Sequence, residues 1–227
     1  TTAFTASDVV SLQTELAKLG FKTDDISNST ADVLDLAAAL DVNLGEAAEF
    51  TGSLIRSFGL TTQETGRVVD VMARSTSSSA LNFESLRESL KLVAPVSTSV
   101  GVSLEKTTAL LGVLADRGLK GSIAGTGLAK SFIMLSKQGL TLEQGIKKVT
   151  DSGFDLNTAI DLVGIVGAKT FITLAKGAED IGKLEGALNN ASGAAKTLAD
   201  ERLNNLSGDI TILKSAWEGF ILAIEDG

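Results

Sequence analysis

The chain has 227 residues, 44% of them apolar, with 20 Lys and Arg against 28 Asp and Glu and a formal charge of −8. That apolar share can bury a core in one large domain or two small ones, which excludes a disordered chain. The lack of cysteine and histidine excludes disulfides, thiolate and imidazole metal sites, cysteine nucleophiles and Ser/His/Asp triads, and an acidic balance without a basic stripe argues against a nucleic-acid surface.

Aromatic residues make up only 4% of the chain, and Pro95 is its single proline, so the core must come from Leu, Val, Ile and Ala on helices rather than from aromatic-rich strands. The first helix is announced by Val9, Leu12, Leu16 and Leu19 at helical spacing, with Thr5 as its cap and Asp8 three residues on. It stops at Gly20, where Phe21 can fold back onto Leu16 if the glycine is left-handed. The same grammar recurs at Gly59 (Leu60, Ile55), Gly118 (Leu119, Leu114), Gly139 (Leu140, Leu135) and Gly153 (Phe154, Val149). New caps follow these stops at once: Thr61 with Glu64, Ser122, Thr141 with Gln144, and Asp155. Helices joined by two or three residues must fold back on one another.

Between the stops, Phe83, Leu86, Leu90 and Val93 share one face, and Leu104, Leu111 and Leu114 share another with Leu110 beside them. Asp70 and Arg74 have the spacing of a helical ion pair, and the run from Ser75 to Phe83 reads as a polar connector. The segment LDVNLGEAA is echoed by VGVSLEKTT, as two copies of one turn-plus-helix solution. From about Asn157 small residues abound without a clear stop, and longer helices are expected. Gly164, Gly167, Gly177, Gly182 and Gly186 then either admit close helix packing or cost about 1 kcal/mol each relative to alanine. The expected fold is all-α: an orthogonal or antiparallel bundle of short helices joined by tight glycine turns, with longer helices at the C-terminal end. Residues 1–155 are read as one helical domain and 156–227 as a helical extension.

The stretch GLKGSIAGTGLAK, residues 118–130, has the glycine density of a phosphate loop but not its spacing. Lys130 and Ser131 come too late after Gly127 for a Walker A motif, and Lys130 stands where a dinucleotide fingerprint needs its third glycine. Backbone physics accounts for it instead: Gly118 ends a helix, Gly121 extends the turn, Ser122 caps the next helix, and Gly125 and Gly127 let that helix pack tightly. Asp24 with Asp25 and Asp32 with Asp35 lack calcium-loop spacing and read as dipole partners of helix starts. Trp217 and Phe220, with Leu213, read as packing anchors of a final helix. The longest charge-free stretch, Leu92 to Leu104, falls short of the ~18 residues that span a bilayer, so no membrane span is expected. The chain starts without methionine or a signal-peptide pattern and reads as an excised piece of a longer protein. No catalytic, cofactor or metal residues are assigned.

The residues LVAPVSTSVGVSLEKTTALLGVLADRGLKGSIAGTGL resemble the hallmark of phage tail tape measure proteins of the minor tail protein type. The segments TADVLDLAAALDVNLGEAAEF, SFGLTTQETGRVVDVMA, LNFESLRESLK, SGFDLNTAIDLVG and LSGDITILKSAWEGF are similar to that family in the same order. The matching positions are Pro95, Ser103, Leu104, Glu105, Gly118, Gly121, Ser122, Gly125 and Thr126, and one departure is Ala129, where arginine is commoner in the family. The resemblance implies that residues 1–155 are the conserved helical domain of a virion protein. Such a protein occupies the tail tube during assembly in the host cytoplasm, sets tail length and assists genome delivery. It also implies tail tube protein, tail assembly chaperones and tail tip proteins as partners, self-association among the further options, and no catalytic residues. The competing expectation is a prophage-derived helical scaffold or membrane-engaging binding module.

Overall fold

A side-chain oxygen stands before several of the helices and collects N–H groups that a first turn leaves unpaired. The computed structural model describes residues 4–204 together with 213, 216 and 217. Among the described residues the regular elements are eleven α-helices and one 3₁₀ turn. In chain order they are α1 (Ala6–Lys18), α2 (Thr23–Leu40), α3 (Leu44–Ser57), the 3₁₀ turn Thr62–Glu64, α4 (Thr65–Ser78), α5 (Phe83–Ser99) and α6 (Leu104–Asp116). They continue as α7 (Gly121–Lys137), α8 (Leu142–Asp151), α9 (Leu156–Lys176), α10 (Ala178–Asn189) and α11 (Ala194–Leu203).

The expected caps form at α1, α8 and α9. Thr5 accepts from Asp8 N at 3.1 Å while Asp8 accepts from Thr5 N at 3.0 Å; Thr141 and Gln144 exchange the same two bonds; Asp155 accepts from Thr158 N at 2.7 Å. Glu64 accepts from Thr61 N, closing the 3₁₀ turn rather than opening a helix directly. The exception is α7, whose N-cap is Lys120 with no side-chain bond, leaving Ser122 exposed inside the first turn. Ser122 therefore does not cap, because the helix begins two residues earlier than a cap at Ser122 would place it, at Gly121 itself.

All five glycine stops close as the spacing requires. The amides of Phe21, Leu60, Leu119, Leu140 and Phe154 donate to the carbonyls of Leu16, Ile55, Leu114, Leu135 and Val149, at 2.8–3.1 Å, and the glycines between them have positive φ. Two further stops of the same kind carry no such signature. Val102 donates to Ser97 across Gly101, whose upstream partner is polar, and Val42 donates to Ala37 across Asp41, which takes the left-handed conformation without being glycine.

The described chain divides into two compact units. The first holds residues 4–56, Leu60–Ala73 and 192–204, the second Ser57–Gly59 and Arg74–Ala191. In the first, α2 packs against α1 and α11 around Leu12, Leu16, Val33 and Leu36. Asp70 of α4 accepts from Gly193 N and Ala195 N at 2.8 and 2.9 Å, so this carboxylate caps α11 from a distance instead of pairing with Arg74. In the second, α7 lies against both α5 and α9, α6 packs on α10, and α8 on α9. Leu86, Leu90, Leu104, Leu110, Leu111, Leu114 and Phe171 are fully buried there. These units do not follow the expected break after residue 155, because α9 and α10 close the core of the second unit and α11 returns to the first.

The longest helix, α9, is interrupted at Gly164 (φ 74°, ψ 167°). Gln138 at the end of α7 donates to the Leu162 carbonyl at 2.7 Å beside that break. Gly167 and Gly177 sit at close contacts, whereas Gly182 has open space around it. Leu213 and Trp217 are exposed, and Phe220 lies outside the described residues.

Gly118 (φ 81°) has nothing within 4 Å of where a β-carbon would stand, so Gly118→Ala carries only backbone strain and should destabilise the protein by about 1 kcal/mol. Gly182→Ala, in the open interior of α10, should stabilise it by about as much. Urea denaturation of the two variants checks both signs.

Candidate functional site

The resemblance-bearing residues fall on α5, α6 and α7 and on the turns between them. Pro95 sits inside α5 on its exposed side. The chain then turns at Gly101, and the Ser103 hydroxyl caps α6 by accepting from Lys106 N at 3.1 Å. Leu104 and Glu105 follow, both buried. Gly118 ends α6, and α7 starts at Gly121.

The four glycines of this stretch have separate structural uses. The buried Ser89 hydroxyl of α5 donates to the Gly121 carbonyl at 2.8 Å, and a β-carbon on Gly121 would collide with the Glu88 carboxylate. A β-carbon on Gly125 would stand 2.5 Å from the Ser89 carbonyl oxygen and 2.9 Å from its Cα, which are rigid backbone atoms. On the other flank, a β-carbon on Gly127 would overlap the Thr170 hydroxyl of α9. Thr126 and Lys130 point outward between these two flanks. The glycine run is thus a turn followed by a helix face on which two neighbours press, not a nest for an anion. Ser89 and Thr170 were not legible as partners, since a single small polar residue on an apolar face does not say which helix it meets.

Beside this region a cleft of about 590 Å³ is lined by Val100–Ser103, Phe132, Leu135, Gly139–Glu143, Lys106 and Glu185. Lys106 bridges Glu185 at 2.8 Å and Glu143 at 3.6 Å, so its ammonium is occupied by protein carboxylates. Among the described residues no group of three or more acidic side chains is placed to hold a metal ion. Asp24 and Asp25 sit in the first turn of α2, where Asp25 accepts from Gln63 at 3.2 Å.

Asp32 and Asp35 are half-buried, and both titrate above the ordinary value of 3.8. Burial is the leading cause for each. For Asp32 the charges of Asp70 and Asp35 add to it, while for Asp35 Lys196 opposes it and Asp200 and Asp70 reinforce it. Asp70, whose carboxylate caps α11, stands near both. A raised folded pKa contributes stability that is present below the unfolded pKa and lost as pH rises through the folded one. Glu64, lowered chiefly by the bond from Thr61 N, acts in the opposite sense.

The profile of the phage-related minor tail protein family matches residues 1–201. The chain belongs to the phage-related minor tail protein family. It is 31% identical to the "Tape measure protein" of Pneumococcus phage Dp-1, in an alignment covering 99% of this chain and 22% of that protein. It is 26% identical to the "Probable tape measure protein" of Escherichia phage P2, covering 96% of this chain and 30% of that protein. The chain therefore spans about a quarter of the length of these relatives. No solved structure matches it. Membership in this tail-protein family accords with a site made of turns and packed glycines, and α9 is the one described helix with the length and mean hydropathy to cross a membrane, half of it buried within its unit.

Gly125→Ala should cost about 1–3 kcal/mol, because α7 must move off the α5 backbone to admit the methyl group, while Ser122→Ala changes stability by only a few tenths. Asp32→Asn should raise the melting temperature at neutral pH and shrink that gain toward pH 4, as thermal melts across the range will show.

Proposed function

We propose that this chain is a length-setting segment of a tape measure protein, held in the tail tube during assembly and assisting genome delivery. The observation that carries the reading is the match along nearly the whole chain to two tape measure relatives, on an all-helical structure whose turns are mostly three or four residues long. The partners that fit are tail tube protein, tail assembly chaperones and tail tip proteins, met first in the host cytoplasm and then in the virion tail.

The physics of a ruler bears on this fold directly. A helix advances 1.5 Å per residue, so the whole chain as one rod would reach about 340 Å, many times the reach of the same residues in hairpins. At the five glycine stops the reversal is held by one left-handed residue and one or two backbone bonds, and rotating that residue and the extended cap after it into the right-handed helical region converts turn into continuing helix. The compact units are the pre-assembly or tip-proximal form in this reading, and Gly20, Gly59, Gly118, Gly139 and Gly153 are the hinges by which the chain lengthens.

An in-frame duplication of the segment in a phage that encodes it should lengthen the tail, by up to about 340 Å if the copy is a continuous helix, as measured by electron microscopy. Tails of unchanged length would overturn the length-setting role. Native-state hydrogen exchange of the isolated chain should show the amides that close the five turns opening at lower free energy than the cores of α5, α6 and α7. Protection of all five at the level of global unfolding would remove the hinge idea.

A further inference from the structure

The outward face of α7 and α9 has a chemistry unlike the rest of this acidic chain. On α7 the exposed residues Ile123, Thr126, Lys130, Ile133 and Lys137 recur at alternating intervals of three and four, the seam spacing of a helix that packs against another helix. On α9 Val166, Lys169, Thr173 and Lys176 repeat that spacing, with Ile165 beside them. Ile123 is 64% exposed, Ile165 80% and Val166 60%, which is unusual for aliphatic side chains on packed helices. The contacts of Gly127 with Thr170 and of Gly167 with Ser131 hold α7 and α9 side by side and antiparallel, so the two seams run next to each other on the side away from the core.

The charge on this face is one-sided. Between Gly121 and Lys137 there is no acidic residue, and α9 has only Asp161. Elsewhere many lysines and arginines pair with carboxylates three or four residues away, as in Lys18–Glu15, Arg87–Glu84, Lys147–Asp151, Lys183–Glu179 and Lys196–Asp200, although Lys22, Lys91, Lys120 and Lys148 do not. Among the described residues Lys130, Lys137 and Lys169 have no ion-pair partner, and Lys176 lies over the Phe154 ring at 5.6 Å.

We propose that this face docks an acidic amphipathic helix from a partner protein, its aliphatic residues packing on Ile123, Ile133 and Val166 and its carboxylates meeting Lys130, Lys137 and Lys169. Charge complementarity selects this occupant. A second copy docked α7 on α7 would set lysine against lysine. A lipid surface is disfavoured because the lysines share one meridian with the isoleucines, whereas helices lying on membranes separate charge and apolar bulk onto opposite faces. The inference is independent of the tape-measure reading, since it rests only on exposure, spacing and charge.

The test uses the full chain and two synthetic helical peptides of about three heptads, identical except that one has Glu and the other Lys on a leucine seam. Fluorescence anisotropy should show the acidic peptide binding at least about ten-fold more tightly than its basic twin, with affinity falling as salt rises. The double variant Lys130→Glu, Lys169→Glu should abolish or invert that preference, and Ile133→Ser with Val166→Ser should weaken binding. Lys147→Glu on α8 should leave it unchanged. All these side chains are exposed, and circular dichroism confirms that each variant keeps its fold. Equal affinity for the two peptides, indifference to the double lysine variant, or binding to phosphatidylglycerol vesicles without binding to the acidic peptide would overturn the proposal.

Discussion

One constraint organises the larger unit: α7 has to lie against α5 and α9 at once, at distances that leave no room for a β-carbon. Gly125 lets the α5 backbone come within contact of the α7 backbone, and Gly127 does the same for the Thr170 hydroxyl on α9. The Ser89 hydroxyl then reaches the Gly121 carbonyl and fixes where along α5 the helix begins. With α7 placed, the buried leucines of α6 and the Phe171 ring of α9 have surfaces to fill. The glycine richness that suggests an anion loop is therefore a packing requirement, and the lysine behind it faces outward because the inward positions are taken by helices.

The turns obey a more local rule. At Gly20, Gly101, Gly118, Gly139 and Gly153 a helix stops because a left-handed residue lets two amides fold back onto carbonyls three and five positions earlier, and a new helix starts within a few residues. This produces short helices and sharp reversals from information within about six residues. The bonds that hold each reversal are few, so the energy separating a bent from a straight connection is small compared with what the packed cores contribute.

In the smaller unit electrostatics settles a choice that spacing leaves open. Asp70 stands four residues before Arg74, yet its carboxylate caps α11, more than a hundred residues along the chain. The free amides at a helix start are fixed donors, whereas an exposed arginine pair has side-chain entropy and solvent screening against it. The cost appears nearby, where Asp32 and Asp35 are pushed upward by burial and by the charge of Asp70.

What the sequence by itself determined is the local grammar. The stops at Gly20, Gly59, Gly118, Gly139 and Gly153, the caps at Thr5, Thr141 and Asp155, and the apolar faces of α5 and α6 all depend on residues close in the chain, where geometry is dictated by backbone conformation and hydrogen-bond reach. Family membership was legible for the same reason, because the matching motif is made of these turn and cap residues. The tertiary structure alone decided that Ser89 and Thr170 are the neighbours of Gly121 and Gly127, that α11 rejoins the first unit, that α9 breaks at Gly164, and that Ile123, Lys130 and Lys169 share an open face. Those outcomes depend on which helix lies against which, and a pattern of periods three and four specifies a face without naming what covers it.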